Sequence, residues 1–274
     1  MENQQEKNTN KGTIHANNVN IGDVTNIHYH LPNINFPKEL TINLPKIHSD
    51  DIIGRENDLE ELHDLLSEQK RVVLVNGIGG IGKTTLAQAY ICKYYDDYQH
   101  VAWIGQDSDN IANDIVNAPG LMKNLNIQAD EIQPQQLFLE VSRKLKTIPD
   151  KPNLLVVDNA EQSIRDCLDS LPSQPDWHLL VTSREEIRGL YPKPLGFLSL
   201  GKAIELFKKH YTHKKISDDE ITELVKIVDL HTLTIEILAK SAEELRYDFD
   251  KLKHAIKNDL KASLDIPHKK KTLK

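Results

Sequence analysis

The stretch Arg71-Val72-Val73-Leu74-Val75-Asn76-Gly77-Ile78-Gly79-Gly80-Ile81-Gly82-Lys83-Thr84-Thr85 decides the reading of this chain. A short apolar run bounded by glycines reads as a buried strand, and the residues after Thr84 read as a helix. Between them stands the full pattern G-x-x-x-x-G-K-[ST]. Glycines let the backbone turn so that successive N–H groups face one anion, and the next helix aims its positive end at the same point. Lys83 then reaches terminal phosphates as a point charge, and Thr84 offers an oxygen to Mg2+.

Working outward, other apolar runs alternate with helical patterns between about residues 51 and 190. Val101-Ala102-Trp103-Ile104, Asn153-Leu154-Leu155-Val156-Val157-Asp158 and His178-Leu179-Leu180-Val181-Thr182-Ser183-Arg184 read as strands. Leu59, Leu62, Leu65 and Leu66 repeat at helical spacing, and helices are expected near residues 85–95 and 135–147. Such alternation predicts an α/β fold with a parallel sheet flanked by helices. Beyond Pro194 the pattern is only helical, with stripes at Ala203, Leu206 and Phe207, at Ile221, Leu224 and Val225, over residues 232–245, and at Leu252 and Ile256. These predict a small all-α bundle.

Two strand ends complete the expected phosphate site. Asp158 closes an apolar strand, where a carboxylate shares Mg2+ with Thr84. Arg184 ends the next strand, where its guanidinium reports on a terminal phosphate. The residue after Asp158 is Asn159, an amide that cannot accept a proton, so hydrolysis is expected to be slow or absent.

Composition sets further bounds. The 274 residues are 39% hydrophobic, enough for a core, and the net charge of −7 argues against a dedicated nucleic-acid binder. Two cysteines allow no disulfide framework, and no window has the length and apolarity of a membrane helix. A cytoplasmic location is expected.

The order of Ile52-Ile53-Gly54-Arg55-Glu56, the glycine loop with Leu86-Ala87, the Asp158 strand and Val181-Thr182-Ser183-Arg184 resembles the STAND NTPases, and within them the NB-ARC type. The resemblance runs from about residue 51 to 260. It implies a P-loop NTPase domain over residues 51–193 and a helical lid over 194–265. It implies ATP or ADP with Mg2+, phosphate contacts at Gly77, Gly79, Gly80, Ile81, Gly82, Lys83, Thr84 and Thr85, and an adenine cover at Ile53 and Arg55. Asp158, Asn159 and Arg184 take the catalytic positions. His231, where the family has a Gly-Leu-Pro-Leu or His-Pro-Leu motif, is expected near a phosphate, with Thr232 in place of proline.

Proteins of this type switch between a closed ADP state and an ATP state that oligomerises through the nucleotide-binding domain, with at most slow ATP turnover. The family continues with a winged-helix domain, so residues 266–274 resemble the approach to one and the chain resembles a fragment. An active AAA-type ATPase and a filament former with a purely structural nucleotide site are the rival readings.

Residues 1–50 hold ten Asn and little helical pattern. Within residues 13–31, apolar and polar positions alternate around Gly22-Asp23, which fits a single hairpin or in-register stacking of identical chains. This segment resembles the amyloid signalling motifs that template a matching effector in some bacterial and fungal immune receptors, and the resemblance implies an antiphage role. His28 and His30 share one strand face as a candidate metal pair.

Overall fold

The computed structural model describes residues 8–9, 12–13, 18–21, 24–27, 35–42, 44–45, 52–68, 72–128, 132–213 and 215–259. For the strands before residue 35 and for residues 257–259 this concerns the backbone alone. The chain divides into two compact units, Met1–Phe36 and Pro37–Lys274.

In the first unit, strands β1 (Asn8–Thr9) and β2 (Gly12–Thr13) pair antiparallel. Strands β3 (Asn18–Ile21) and β4 (Val24–Ile27) form a second antiparallel pair, with Ile21 opposite Val24. Stacking between chains concerns assembly, and much of the expected motif, with His28 and His30, lies outside the described residues. So do residues 266–274.

The second unit runs α1 (Glu56–Ser67), β5 (Val73–Asn76), α2 (Lys83–Tyr94), β6 (His100–Gly105), α3 (Ile111–Val116), α4 (Leu121–Asn124), α5 (Pro134–Lys146), β7 (Asn153–Asp158), β8 (Trp177–Ser183) and β9 (Tyr191–Pro194). Four helices follow: α6 (Leu200–His210), α7 (Asp218–Ile227), α8 (Thr232–Leu245) and α9 (Phe249–Asp259). Strands β5 to β9 form one parallel sheet in the order β6-β7-β8-β5-β9. The α/β architecture is therefore the one expected.

Alternate residues of the central strands point to opposite faces, and both sets are buried. Val73, Val75, Val101, Leu154, Val156 and Leu180 pack with Leu62 of α1 and Leu86 and Tyr90 of α2. Leu74, Ala102, Leu155, Val157 and Leu179, on the other face, are no more than 2% exposed. On that side Trp177 Nε1 donates to the Leu145 carbonyl of α5 at 3.2 Å. A second core, built by Ala203, Phe207, Leu224, Val225, Ile235, Leu238 and Leu252, holds α6 to α9 together.

Two features escaped the sequence pattern. Strand β9 reads Tyr-Pro-Lys-Pro; its prolines are tolerated because it lies at the sheet edge. Residues 37–42, assigned to the leader by composition, pack along the other edge. Leu40 N–H donates to Val101 O at 2.9 Å, Val101 N–H to Lys38 O at 2.7 Å, and Leu40 and Thr41 are buried. Backbone bonds thus cover an open edge with a short segment, Leu40-Thr41-Ile42, whose alternation stands inside an Asn- and Pro-rich stretch. Among the described residues, no helix is long and apolar enough to cross a membrane.

Candidate functional site

The site forms where the carboxyl ends of β5, β7 and β8 meet the start of α2, the place at which an open parallel sheet collects functional groups. Residues 77–82 carry β5 into α2. Gly82 occupies the N-cap with φ +103, and Gly80 has φ +73; a side chain at either would strain the backbone. Ile81 is 1% exposed, so its side chain anchors the loop in the sheet core while its backbone stays at the site. Lys83 folds back along the loop, and Nζ donates to Gly77 O at 2.8 Å and Ile78 O at 2.9 Å. Burial lowers the Lys83 pKa, with the Arg184 guanidinium acting in the same direction and Asp158 opposing it.

Strand β8 lies between β5 and β7 and holds the end of β7 through one hydroxyl. Thr182 Oγ1 donates to Asp158 Oδ1 at 2.5 Å and accepts from Asn159 N–H at 2.9 Å. Thr84 Oγ1 donates to the same Asp158 oxygen at 2.9 Å. A hydroxyl and a carboxylate at this separation are the hard oxygen donors that Mg2+ takes, so the pair fits that ion. Asn159 has φ +59, a left-handed conformation that Asn tolerates better than most residues, and its Nδ2 donates to Gln106 O at 3.4 Å. Gln106 Oε1 in turn accepts from Glu161 N–H, which fixes the turn after β7.

A cavity of about 230 Å3 opens among these groups. Gly79, Gly80, Gly82, Lys83, Thr84, Thr85, Asn159, Thr182 and Arg184 line it from the sheet side. Arg184 is exposed there, while the neighbouring Glu185 accepts from Gln162 Nε2 at 3.1 Å. Two cationic side chains, a glycine loop and a helix N-terminus fit a chain of phosphates.

The remaining wall comes from the helical bundle. Thr232, Leu233 and Glu236 of α8 line the cavity. The first turn of α8 is bonded to three successive loop carbonyls. His231 Nε2–H donates to Gly79 O at 2.9 Å, Leu233 N–H to Gly80 O at 3.1 Å, and Thr232 Oγ1 to Ile81 O at 3.2 Å. The Gly79 carbonyl can only accept, so His231 carries its proton on Nε2. Its Nδ1 then accepts from Thr234 N–H and Oγ1 and caps the helix. The connection from α7 passes through Asp229 and Leu230, both left-handed at φ +51 and +58, and Leu230 N–H closes onto Val225 O. A branched residue in that region carries a cost on the order of 1 kcal/mol.

Of the residues expected at the site, Gly79, Gly80, Gly82, Lys83, Thr84, Thr85, Asn159 and Arg184 line the cavity, and Asp158 is bonded to two of its walls. Arg55 stands behind it. Its guanidinium is buried and donates to Ile81 O at 2.9 Å and to Asp58 at 3.1 Å, while Asp58 and Glu61 also receive the buried Lys193 ammonium of β9. Ile53 lines a separate cavity of about 790 Å3 with Ile52, Ile204, Glu205 and Lys208. Sequence reasoning missed Thr182 and Glu236. A polar residue inside the run Val181-Thr182-Ser183 signalled the first, and the i,i+4 spacing from Thr232 signalled the second.

Comparison with known proteins follows this geometry. The NB-ARC domain family matches residues 55–216. The transcription activator GutR of Bacillus subtilis (strain 168) is 27% identical over 165 residues, covering 57% of this chain and 20% of that protein. Disease resistance protein RPS6 of Arabidopsis thaliana is 25% identical over 203 residues, covering 66% of this chain and 18% of that protein. The chain thus spans about a fifth of the length of these relatives. Among solved structures, the Walker-type ATPase PABY2304 of Pyrococcus abyssi shares the fold, with a TM-score of 0.52 and 14% identity over 79% of this chain and 74% of that one. With more than half of its residues matched by the family, a P-loop for binding nucleotide and the parallel sheet that presents it, the chain belongs to the NB-ARC domain family.

Proposed function

We propose that the chain is an ATP- and ADP-responsive switch within a signalling protein. The carrying observation is the triple contact of His231, Thr232 and Leu233 with the loop carbonyls of Gly79, Gly80 and Ile81. Through it, the walls of one phosphate cavity belong to both the sheet and the helical bundle. Anything that changes what the cavity holds therefore bears on how the two parts pack. Residues 51–193 are the nucleotide-binding domain and 194–265 its lid. Lys83, the loop N–H groups and Arg184 hold phosphates, and Thr84 and Asp158 hold Mg2+. The apolar walls of Ile52, Ile53 and Ile204 take the base, while Arg55 and His231 brace the loop through its carbonyls. Asn159 orients water without deprotonating it, which keeps turnover slow and suits a timer.

In this reading ADP stabilises the docked arrangement. ATP favours its opening and homo-oligomerisation, and the amino-terminal hairpin segment then templates an effector in bacterial antiphage defence. The similarity to a transcription activator and to plant disease resistance proteins supports signalling as the role.

The test is titration of the purified chain with Mg-ADP, a non-hydrolysable Mg-ATP analogue and Mg-GDP, with mass measured by light scattering. Saturable adenine-nucleotide binding, with a larger mass in the ATP analogue, is expected. Binding of neither adenine nucleotide would overturn the proposal, and fast turnover that persists in Asn159→Ala would favour an active ATPase.

A further inference from the structure

We propose that Glu236 sets the choice between a nucleoside diphosphate and a nucleoside triphosphate, by opposing the third phosphate while α8 is docked; this rests on the nucleotide reading above. Glu236 is the one acidic side chain among the described residues lining the 230 Å3 cavity. It stands one turn beyond Thr232 on the same helix face, and Thr232 is bonded to the loop. Its position is therefore set by the contact that docks the helix.

The opposite wall consists of Lys83, Thr84, Thr85 and the loop glycines, where the phosphates nearest α2 gain N–H bonds and positive charge. A third phosphate adds negative charge to this same cavity, whose other walls are Arg184 and the start of α8. Arg184 draws it in and Glu236 repels it. Asp158 is a different case, because its carboxylate is engaged by two hydroxyls and is available to Mg2+.

Among the described residues Glu236 pairs with Lys240, one turn further along α8, and both side chains are partly exposed, at 34% and 52%. Such a pair at the surface neutralises the carboxylate incompletely, so a net repulsion survives across a partly desolvated cavity. A triphosphate brings more negative charge into the cavity than a diphosphate and meets more of this repulsion, which disappears if α8 lifts. A ligand that interacts differently with the two arrangements shifts their populations, so Glu236 makes opening the favourable response to ATP rather than ADP.

The experiment measures the affinities of Mg-ADP and of a non-hydrolysable Mg-ATP analogue for the wild-type chain, Glu236→Gln and Lys240→Ala, with folding checked by circular dichroism. Glu236→Gln should raise affinity for the triphosphate on the order of tenfold while leaving the diphosphate within about twofold. Lys240→Ala, which exposes the carboxylate's full charge, should lower triphosphate affinity. An unchanged ratio in Glu236→Gln, an equal loss for both nucleotides, or shifts of the same sign in the two variants would overturn the proposal. Wild-type chain that binds neither nucleotide would instead overturn the nucleotide reading itself.

Discussion

The glycine loop and the first turn of α8 meet in direct hydrogen bonds beside one cavity and are specified by different physics. The loop is fixed by local chemistry. Gly80 and Gly82 take left-handed backbone, Ile81 anchors in the core, and Lys83 must follow at a set spacing. The α8 wall is fixed by where two separately packed cores meet. A histidine, a threonine hydroxyl and a backbone N–H happen to be the donors there. Local chemistry tolerates few substitutes, whereas a docking contact can be made by many residue types. One wall is therefore rigidly encoded and the other is adjustable, a sensible division for a site that must hold phosphates and also respond to them.

The largest effect should come from the rigid wall. Lys83→Ala should weaken adenine-nucleotide binding by about 100-fold, since it removes the principal charge-assisted donor. Calorimetric titration checks this, and unchanged affinity would mean the cavity holds something else. Thr182→Val comes next. It leaves the Asn159 N–H unpaired and frees Asp158, which should cost about 2 kcal/mol of stability in urea unfolding and raise the Mg2+ needed for binding.

The same strand offers a comparison between its two ends. At the end remote from the cavity, His178 Nδ1 is bonded to the Tyr98 hydroxyl at 2.8 Å, and Tyr98 is bonded to Tyr90 at 2.7 Å. Burial, with a smaller effect of His63, pushes the His178 pKa down to about 4. The unfolded chain therefore takes up a proton near pH 6.5 that the folded chain accepts only near 4. Stability should hold above about pH 6.5 and fall as pH drops towards 4, by about 2 kcal/mol once partial solvent exposure is allowed for. Denaturation of the wild-type chain and His178→Gln at pH 7 and pH 4.5 measures it; an equal loss in both would assign the effect elsewhere.

The adjustable wall should give the smallest effect. His231→Ala removes one of three docking bonds and the cap of α8, together worth about 1.5 kcal/mol, and should speed hydrogen exchange at the Leu233 amide about tenfold with no larger loss of global stability. A change in global unfolding of several kcal/mol would show that α8 docking is part of the fold rather than a separable contact.

What the sequence made legible follows the same division. The apolar runs, the glycine loop, Asp158 and Arg184 announce themselves because buried parallel strands and phosphate loops restrict residue types strongly. Strand β9 was hidden by Pro192 and Pro194, which only an edge position permits. Residues 37–42 were hidden because their short alternating run sits inside an Asn- and Pro-rich stretch and pairs through backbone groups. The contacts of Arg55 and His231 with the loop depend on backbone carbonyls far away in the chain, those of Ile81 and Gly79, which no local pattern encodes. Glu236 looked like any solvated helix residue until α8 was placed against the loop.

Hydrogen exchange at the Leu233 amide, which is bonded to the Gly80 carbonyl, tests the switch most directly. Measured with saturating Mg-ADP and then with a saturating non-hydrolysable Mg-ATP analogue, this amide should be protected in the first and exchange faster in the second, while amides of β5 and β8 stay protected in both. Equal protection of Leu233 in the two nucleotides would mean that α8 does not respond to the third phosphate, and would contradict the proposed switch.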